Sequence, residues 1–389
     1  FLYHCDWIKI NHTRISNQVY EGVNAYRCRH LRIESINISR CDTGILLTQC
    51  YNSTSENCEI NECREGLQIA DSSLTSITES SFRDCDYGIR TKPGYKPDLT
   101  ISRNEFVGVF STMIHSESSE VKIFENEFIS DGSTKTGIRI MDSFSNVSSN
   151  EFTGIVTAIK DEGNRNNISQ NLISKCERGI ELYGYKNKVG FNQIENIEGG
   201  FGIIDSGDQN VIMKNTIIDD DDIGILLSGS VYSSLFSNEL IGTSIDLFDI
   251  DPELEILISP NNTINGKPVI FYQEMDLKDL EIDPEGGEYI FLACRNGILE
   301  NVENSGGILN VLIYGCQSIK LANCSFSGKG IGIKSFKSDG VHIAGSNFSG
   351  LETGISMMNS DEMMIKNCIF EQIIETAINI SSGSDSRIE

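Results

Sequence analysis

Three cationic side chains occupy one position of a repeat in this chain: Arg90 and Arg139 lie two residues after the glycine of a Gly-Ile step, and Lys160 lies two residues after Ala158. Such a column is unexpected where 56 acidic residues oppose 31 basic ones. Arginine holds a carboxylate or sulfate through two parallel hydrogen bonds. The pattern predicts a strand face that binds acidic glycans, and an ordinary solvated face is the alternative. The predicted outward column contains, coil by coil, Gln68, Arg90, Ile114, Arg139, Lys160 and Glu181.

Tyrosines follow the same repeat step at a larger distance. Tyr95, Tyr185 and Tyr232 lie six to eight residues after their repeat glycine, and Tyr183 is close by. A tyrosine ring has an apolar face and a polar tip, which suits stacking on a sugar. We expect these rings to share one edge of the fold as binding residues. Surface decoration without function is the alternative.

The densest acidic run consists of four consecutive aspartates, Asp219, Asp220, Asp221 and Asp222. Glycosidases need two carboxylates in distinct environments, and a surface turn does not supply them. A solvated turn is therefore the favoured interpretation, with weak Ca²⁺ binding through carboxylate oxygens as the alternative. No catalytic residue is assigned, and no cofactor is predicted apart from this Ca²⁺ alternative.

One further cluster has soft ligands that would suit Cu(I): Met357, Met358, Met363, Met364 and Cys368. The five histidines are scattered and show no metal-ligand spacing. Because Met357 falls on a predicted inward position, core filling is the favoured role of the cluster.

The spacing of all of these residues follows a sequence repeat. Gly-aliphatic steps return every 20 to 25 residues, between short period-two segments separated by Asn, Gly and Ser. One such repeat cannot bury its apolar face, but stacked repeats can. The sequence thus predicts an all-β parallel β-helix solenoid with about 22 residues per coil, in which Leu67 stacks between Ile45 and Ile89, and Ile69 on Leu47.

Cysteines recur with the same period. Cys41, Cys63, Cys85 and Cys176 each lie three residues before a repeat glycine. Neighbours on parallel strands have poor disulfide geometry, so we predict free, buried thiols. For the domains, we predict coils over 1–250, an irregular coil with an excursion over 251–300, and continuing coils over 301–389.

The coils resemble the right-handed parallel β-helix repeats of carbohydrate-binding proteins and sugar hydrolases, through motifs such as Asn104-Glu105-Phe106 followed by a Gly-Ile step. The segment "NTINGKPV" at 262–269 and "YIFLACRNGILENV" at 289–302 resemble the NosD-type periplasmic copper-binding family, found in archaeal surface proteins. The resemblance implies a right-handed solenoid, a surface or periplasmic setting and contact with sugars.

Charge and composition narrow the function further. A net charge of -25 disfavours nucleic acids and anionic membranes as partners, and no apolar run is long enough to insert into a membrane. The start lacks the features of a signal peptide, so we interpret the chain as a mature piece or a fragment. Nine glycosylation sequons indicate a cell exterior: Asn11, Asn37, Asn52, Asn146, Asn167, Asn261, Asn323, Asn347 and Asn379.

We therefore favour a non-enzymatic, extracellular or cell-envelope β-helix scaffold that binds or spaces surface glycans. One alternative is a polysaccharide lyase or hydrolase that acts on acidic glycans through the Arg90, Arg139 and Lys160 face. The other is a fibrous appendage or tailspike-like structural protein that associates with copies of itself.

Overall fold

A computed structural model describes residues 1–93, 98–108, 110–219, 221–305 and 307–389. The chain divides into two compact units, Phe1–Glu198 and Gly199–Glu389. Both are built from short strands joined by turns, and the described residues contain no helix long and apolar enough to cross a membrane. The predicted all-β parallel solenoid is confirmed.

The described part of the first unit contains three parallel sheets of nine strands each. Sheet A consists of Leu2–Tyr3, Glu21–Tyr26, Thr43–Thr48, Glu65–Ala70, Tyr87–Thr91, Thr112–Ser116, Thr136–Ile140, Thr157–Asp161 and Arg178–Leu182. Sheet B consists of Lys9–Asn11, Arg32–Glu34, Tyr51–Glu56, Ser73–Thr78, Leu99–Ser102, Lys122–Phe124, Asn146–Ser148, Asn167–Ser169 and Lys188–Gly190. Sheet C consists of Arg14–Ser16, Asn37–Ser39, Glu59–Asn61, Ser81–Arg83, Glu105–Val107, Glu127–Ile129, Glu151–Thr153, Leu172–Ser174 and Gln193–Glu195.

The interior of this unit is made of side-chain ladders, because equivalent residues of successive coils lie directly beside each other. Leu67 pairs with Ile45 on one side and Ile89 on the other, as predicted, and all three are fully buried. Under sheet C, four phenylalanine rings stack with centroids 4.6–5.0 Å apart: Phe82, Phe106, Phe128 and Phe152. Such stacks bury apolar area that a single coil would leave in water.

A polar ladder runs along the turn between sheets B and C. The side chain and backbone N–H groups of Asn104 both donate to Oδ1 of Asn126 at 3.0 Å, and the pattern continues through Asn150 and Asn171. Toward the N-terminus, Ser80 donates its backbone N–H to Asn104 in the same way. The ladder satisfies buried turn backbone that has no strand partner.

Cysteines occupy equivalent turn positions on other coils, where their thiol groups make weaker hydrogen bonds than amides do. Cys58 donates its backbone N–H to Ser80 and its thiol to the carbonyl of Ile33. All twelve cysteines are free thiols and ten are buried, including the ladder of Cys41, Cys63 and Cys85. The predicted burial of the thiols is confirmed.

The second unit begins with three coils of parallel strands among its described residues. The first strands of the three coils pair with one another: Phe201–Asp205, Ile223–Ser228 and Ile245–Phe248. The second strands are Val211–Met213, Ser234–Phe236 and Leu257–Ile258, and the third strands are Thr216–Ile218, Glu239–Ile241 and Thr263–Ile264. The chain then reverses, because Lys267–Gln273 pairs antiparallel with Thr263–Ile264. Here Asn265 and Gly266 both have positive φ, which makes the tight turn. The division at 250 and 300 inferred from the sequence stays a prediction.

A second stack of parallel strands follows the reversal. Its sheet D consists of Lys267–Gln273, Glu288–Leu292, Leu309–Tyr314, Ile331–Phe336, Thr353–Met358 and Thr376–Ser381. Sheet E consists of Ile298–Glu300, Lys320–Ala322, His342–Ala344, Met364–Lys366 and Arg387–Ile388, and sheet F of Glu303–Ser305, Ser325–Ser327, Asn347–Ser349 and Ile369–Glu371.

Sheet D packs against the last strand of the three coils that precede it. Glu288, fully buried, accepts the backbone N–H of Ile245 at 3.0 Å, and Lys334 reaches Asp246 at 2.5 Å. Burial raises the pKa of Glu288 well above its usual range. The excursion thus joins two stacks through a buried polar contact.

Candidate functional site

The outer face of sheet A brings the predicted cations into one column. Arg139 lies beside Lys160 on the next coil, and Arg90 is two coils away on the other side. At one end of the predicted column Gln68 pairs with Arg90, and at the other end Glu181 pairs with Lys160. The repeat therefore positions these side chains, because each occupies the same place on its own coil.

Ile114 was predicted in this column, and that assignment is wrong. Ile114 pairs with Ile89 and Ile138 in the interior and is fully buried, whereas His115 pairs with Arg90 and Arg139. The register differs because the connection before this strand is longer: Tyr87 and Thr112 are 25 residues apart but occupy equivalent positions. The repeat step is thus Met113-Ile114, one residue later than the sequence pattern indicates.

Each cation of the column has a carboxylate partner. Arg90 lies 3.5 Å from Glu65 and 3.4 Å from Glu117. Glu162 binds both Arg139, at 2.7 Å, and Lys160, at 3.2 Å. These cationic side chains are only about one-third exposed, so the pairs are partly shielded from solvent. Burial raises the pKa of Glu162, but hydrogen bonds from Arg139 and Lys160 lower it, and the net shift is downward.

His115 lies at the centre of this face and is 6% exposed. Burial lowers the pKa of His115 and outweighs the opposing effect of Glu117. The imidazole is therefore neutral near pH 7. Its Nε2 donates to Glu117 at 2.9 Å, while Nδ1 has no hydrogen-bond partner among the described residues. The ring also meets the edge of Tyr87 at a centroid distance of 5.9 Å.

Two carboxylates lie beneath the same strand ends. Asp142 accepts hydroxyl hydrogen bonds from Ser116 and Ser145, and Asp161 accepts from Asn166 at 2.8 Å and from the N–H of Gly163 at 2.9 Å. Burial raises the pKa of each to about 7. Asp161 is fully buried and Asp142 is partly exposed, and each accepts hydrogen bonds from residues of its own turn.

Sequence reasoning did not find these aspartates, although a signal exists for Asp161. The pattern Asp-x-Gly-x-x-Asn covers 161–166 and returns at 205–210. In the second unit Asp205 likewise accepts from Asn210 at 2.7 Å and from the N–H of Gly207, and burial raises its pKa to about 6. The pattern therefore marks a turn with a buried carboxyl.

The predicted tyrosines have different surroundings. Tyr183 is 46% exposed, with Lys160 Nζ 4.9 Å from its ring centre, so it belongs to the sheet A face. Tyr185 is exposed nearby and lies 5.9 Å from the guanidinium of Arg165. Tyr232 is exposed in the second unit, and Tyr95 lies outside the described residues.

The acidic run is largely engaged in its own turn. Asp219 accepts the backbone N–H groups of Asp221 and Asp222 at 2.9 and 3.0 Å. Asp221 also pairs with Lys329 at 3.0 Å, and Asp220 lies outside the described residues. Across the described ranges, no group of three or more His, Cys, Asp or Glu side chains is arranged to hold a metal ion.

The methionine cluster does not fit a copper site. Met357 and Met363 are buried in the apolar core of the second stack, as the core-filling interpretation predicts, whereas Met358 is 42% exposed. Cys368 donates its thiol to the carbonyl of Ile343. These sulfur atoms are distributed between core and surface, so they do not form one ligand set.

All nine sequon asparagines are described, and none is buried. Asn37 nevertheless donates to Glu59 at 2.6 Å, and Asn167 to Asn146 at 2.9 Å. Glycosylation of these side chains stays a prediction.

The chain is similar to proteins of known fold. The family described as periplasmic copper-binding protein (NosD) matches residues 98–253. A PL6 alginate lyase in complex with a trisaccharide is 12% identical, with 84% of this chain and 80% of that chain covered and a TM-score of 0.51. A tailspike protein of E. coli bacteriophage HK620 is 8% identical, with coverages of 98% and 73% and a TM-score of 0.55.

At these identities the likeness shows the fold alone. Among curated proteins, none matches. The family described as right handed beta helix region matches residues 1–128 and 306–389. Since these residues make up more than half of the sequence, the chain belongs to the right-handed β-helix family.

Proposed function

We propose that this protein is a non-enzymatic β-helix scaffold that binds a polysaccharide along the outer face of sheet A. The observation that carries the proposal is the half-buried column of paired polar side chains from Arg90 to Lys160, with the exposed ring of Tyr183 at its end.

The pairing of the charges determines which sugar groups suit this face. Arg139 and Lys160 are held by Glu162, so their remaining N–H donors and the carboxylate oxygens are fixed in place before a ligand arrives. Sugar hydroxyl groups donate and accept hydrogen bonds, and a surface with both kinds of group in fixed positions suits them. Tyr183 adds a ring on which one sugar can stack.

The proposed setting is the cell surface or the periplasm. Nine sequon asparagines that are not buried support a cell exterior. The match of residues 98–253 to a periplasmic family supports a periplasmic setting. The glycan partner and the scaffold role belong to this proposal, and weak Ca²⁺ binding at Asp219–Asp222 stays the alternative to a solvated turn.

A glycan array of neutral and uronic-acid oligosaccharides, probed with and without Ca²⁺, tests the function. We expect a neutral or weakly charged glycan to bind, and Arg90→Ala/Arg139→Ala to weaken that binding about tenfold or more. Arg83→Ala/Arg103→Ala is the matched control, because it removes two ion-paired arginines from other surfaces of the same unit.

Three outcomes would overturn the proposal. Equal binding by both double variants would remove sheet A from the site. Release of new chain ends from a bound polysaccharide would favour the lyase or hydrolase alternative. Concentration-dependent association without sugar binding would favour the appendage alternative.

A further inference from the structure

A groove of about 780 Å³ lies on the turns that join sheets A and B in the first three coils. Successive coils place His4, Arg27 and Gln49 in one column, and Asp6, Arg29 and Tyr51 in the next. All six side chains line the groove. The same repeat that builds sheet A therefore builds this groove from its turn residues.

His30 and Tyr51 line the groove, and other aromatic rings stack next to it. Trp7 stacks on His30 with a centroid distance of 4.1 Å and an interplanar angle of 14°, yet it is 77% exposed. Tyr3 stacks on Tyr26 at 5.6 Å, and Tyr51 is 46% exposed. Large rings held in place but left open to solvent supply area for a ligand with an apolar face.

Within the part of the chain that the structure describes, neither guanidinium group in the groove forms an ion pair, although Asp6 is the neighbour of Arg29 on the preceding coil. Arg27 donates to the amide oxygen of Gln49 at 2.7 Å and lies 5.0 Å over the ring of Tyr26. Among the described residues, no carboxylate oxygen lies within 4.0 Å of Arg27 or Arg29, although Asp6 also lines the groove. The chain has a net charge of -25, so two arginines without an ion pair beside exposed aromatic rings are unusual on its surface.

We propose that this groove is a second binding site, for a short oligosaccharide that carries uronic-acid carboxylates. A planar carboxylate matches the guanidinium of Arg27 or Arg29, and the sugar ring stacks on the aromatic side chains. Two guanidinium groups suit one or two carboxylates, whereas the regular phosphates of a nucleic acid need a longer basic stripe. The site does not depend on the proposed role of sheet A.

Trp7 is the only tryptophan of the chain and stacks on His30, which lines the groove, so its fluorescence reports on changes at that side of the groove. The experiment is a fluorescence titration of the full chain with trigalacturonic acid. We expect a saturable change in emission, with binding weakened at least about tenfold in Arg27→Ala/Arg29→Ala. The methyl ester of the same trisaccharide keeps the rings and loses the charges, so it should bind about as weakly as the acid binds the variant.

The sheet A variant Arg90→Ala/Arg139→Ala is the matched control and should bind trigalacturonic acid like the unmodified chain. Circular dichroism of both variants checks that the coils are intact. No emission change, equal binding of acid and ester, or full binding by Arg27→Ala/Arg29→Ala would overturn the proposal. Equal affinity for an oligonucleotide of the same charge would also overturn it.

Failure here is distinguishable from failure of the proposed function. Loss of trigalacturonic acid binding in the groove variant leaves neutral glycan binding on sheet A unchanged, and the sheet A variant gives the reverse pattern. Each double variant thus tests one site against the other.

Discussion

Two surfaces of the first unit place arginines beside aromatic rings, and they differ in what surrounds the guanidinium groups. On the sheet A face, Arg90 and Arg139 each have a glutamate within 3.5 Å. In the groove, Arg27 donates to Gln49 on the next coil, and Arg29 lies between Asp6 and Tyr51 in its column, with no carboxylate oxygen within 4.0 Å among the described residues. One repeat therefore produces a surface whose arginines are ion-paired and another whose arginines are not.

The difference shows that the residues on neighbouring coils determine whether a cation in a solenoid is ion-paired. Position on the coil decides where a side chain lies, and carboxylates on the same or neighbouring coils decide whether its charge is available. Paired groups contribute fixed geometry, and unpaired groups contribute attraction for anions.

The largest expected effect is a fall in stability with rising pH that originates beneath sheet A. Burial raises the pKa of Asp142 and Asp161 to about 7, so the folded state keeps protons that the unfolded state releases near pH 4. Stability therefore falls between about pH 4 and about pH 7 and is level above that range. Asp161→Asn should raise the free energy of unfolding at about pH 8 by about 2–4 kcal/mol and change it little near pH 4.

Urea unfolding followed by circular dichroism at several pH values measures this effect. Arg27→Ala/Arg29→Ala is the control and should keep the original pH dependence, because the groove adds no buried carboxyl. An Asp161→Asn variant with an unchanged pH dependence would contradict the assignment.

Removal of one carboxylate partner should destabilise the sheet A face. Glu65 is 2% exposed and accepts hydrogen bonds from Arg64 and Gln68 at 2.9 and 2.6 Å, beside Arg90. Glu65→Ala removes a buried acceptor from Gln68 and a carboxylate from Arg90, whereas Arg64 keeps Asp42, and the change should lower the free energy of unfolding by about 2 kcal/mol. Gln49→Ala in the groove should lower it by less than about 0.5 kcal/mol. If urea unfolding shows the same loss of free energy of unfolding for both variants, the two surfaces do not differ in how much their partners stabilise the fold.

Removal of the carboxylate that pairs with its cations should allow the sheet A face to bind acidic sugars, as we propose for the groove. Glu162→Gln keeps the size of the side chain but removes the charge that holds Arg139 and Lys160. In an Arg27→Ala/Arg29→Ala background, calorimetry should show trigalacturonic acid binding about five- to tenfold more tightly after this change. Unchanged affinity would mean that pairing does not control charge availability here.

Salt should affect the two surfaces unequally, and this is the smallest expected effect. Raising the salt concentration from about 0.05 M to about 0.5 M should weaken acidic oligosaccharide binding in the groove about threefold, because the attraction is between charges near solvent. Neutral glycan binding on sheet A should change by less than a factor of about two. Equal salt dependence would show that the same forces act at both.

Much of the fold was predictable because stacking converts sequence spacing directly into contact. Leu67 and Ile89 are 22 residues apart, and the coils place them side by side. The assignment failed where a turn changes length, since the 25-residue interval before Thr112 moved Ile114 inward and His115 outward. Turn lengths depend on local backbone geometry that the apolar pattern does not report.

The candidate site was less predictable than the core. The column of cations follows from the repeat, but the partners Glu117 and Glu162 extend from the strand ends, outside that column. The groove had a signal that the apolar pattern obscures: Trp7 and His30 are 23 residues apart, like Cys5 and Cys28. Applying the period to polar and aromatic residues would have brought them together.

The asparagine ladder also governs how such a chain can change in length. Each amide from Asn104 to Asn171 bonds to the next one 21 to 24 residues later. A deletion within the turn that holds an amide would move it out of register and leave buried polar groups unsatisfied. Because the spacing between bonded amides varies from 21 to 24 residues, turns elsewhere on a coil absorb small changes in length, and excision of a whole coil also returns the flanking amides to bonding distance. Duplication of a coil is then the natural unit by which this architecture evolves.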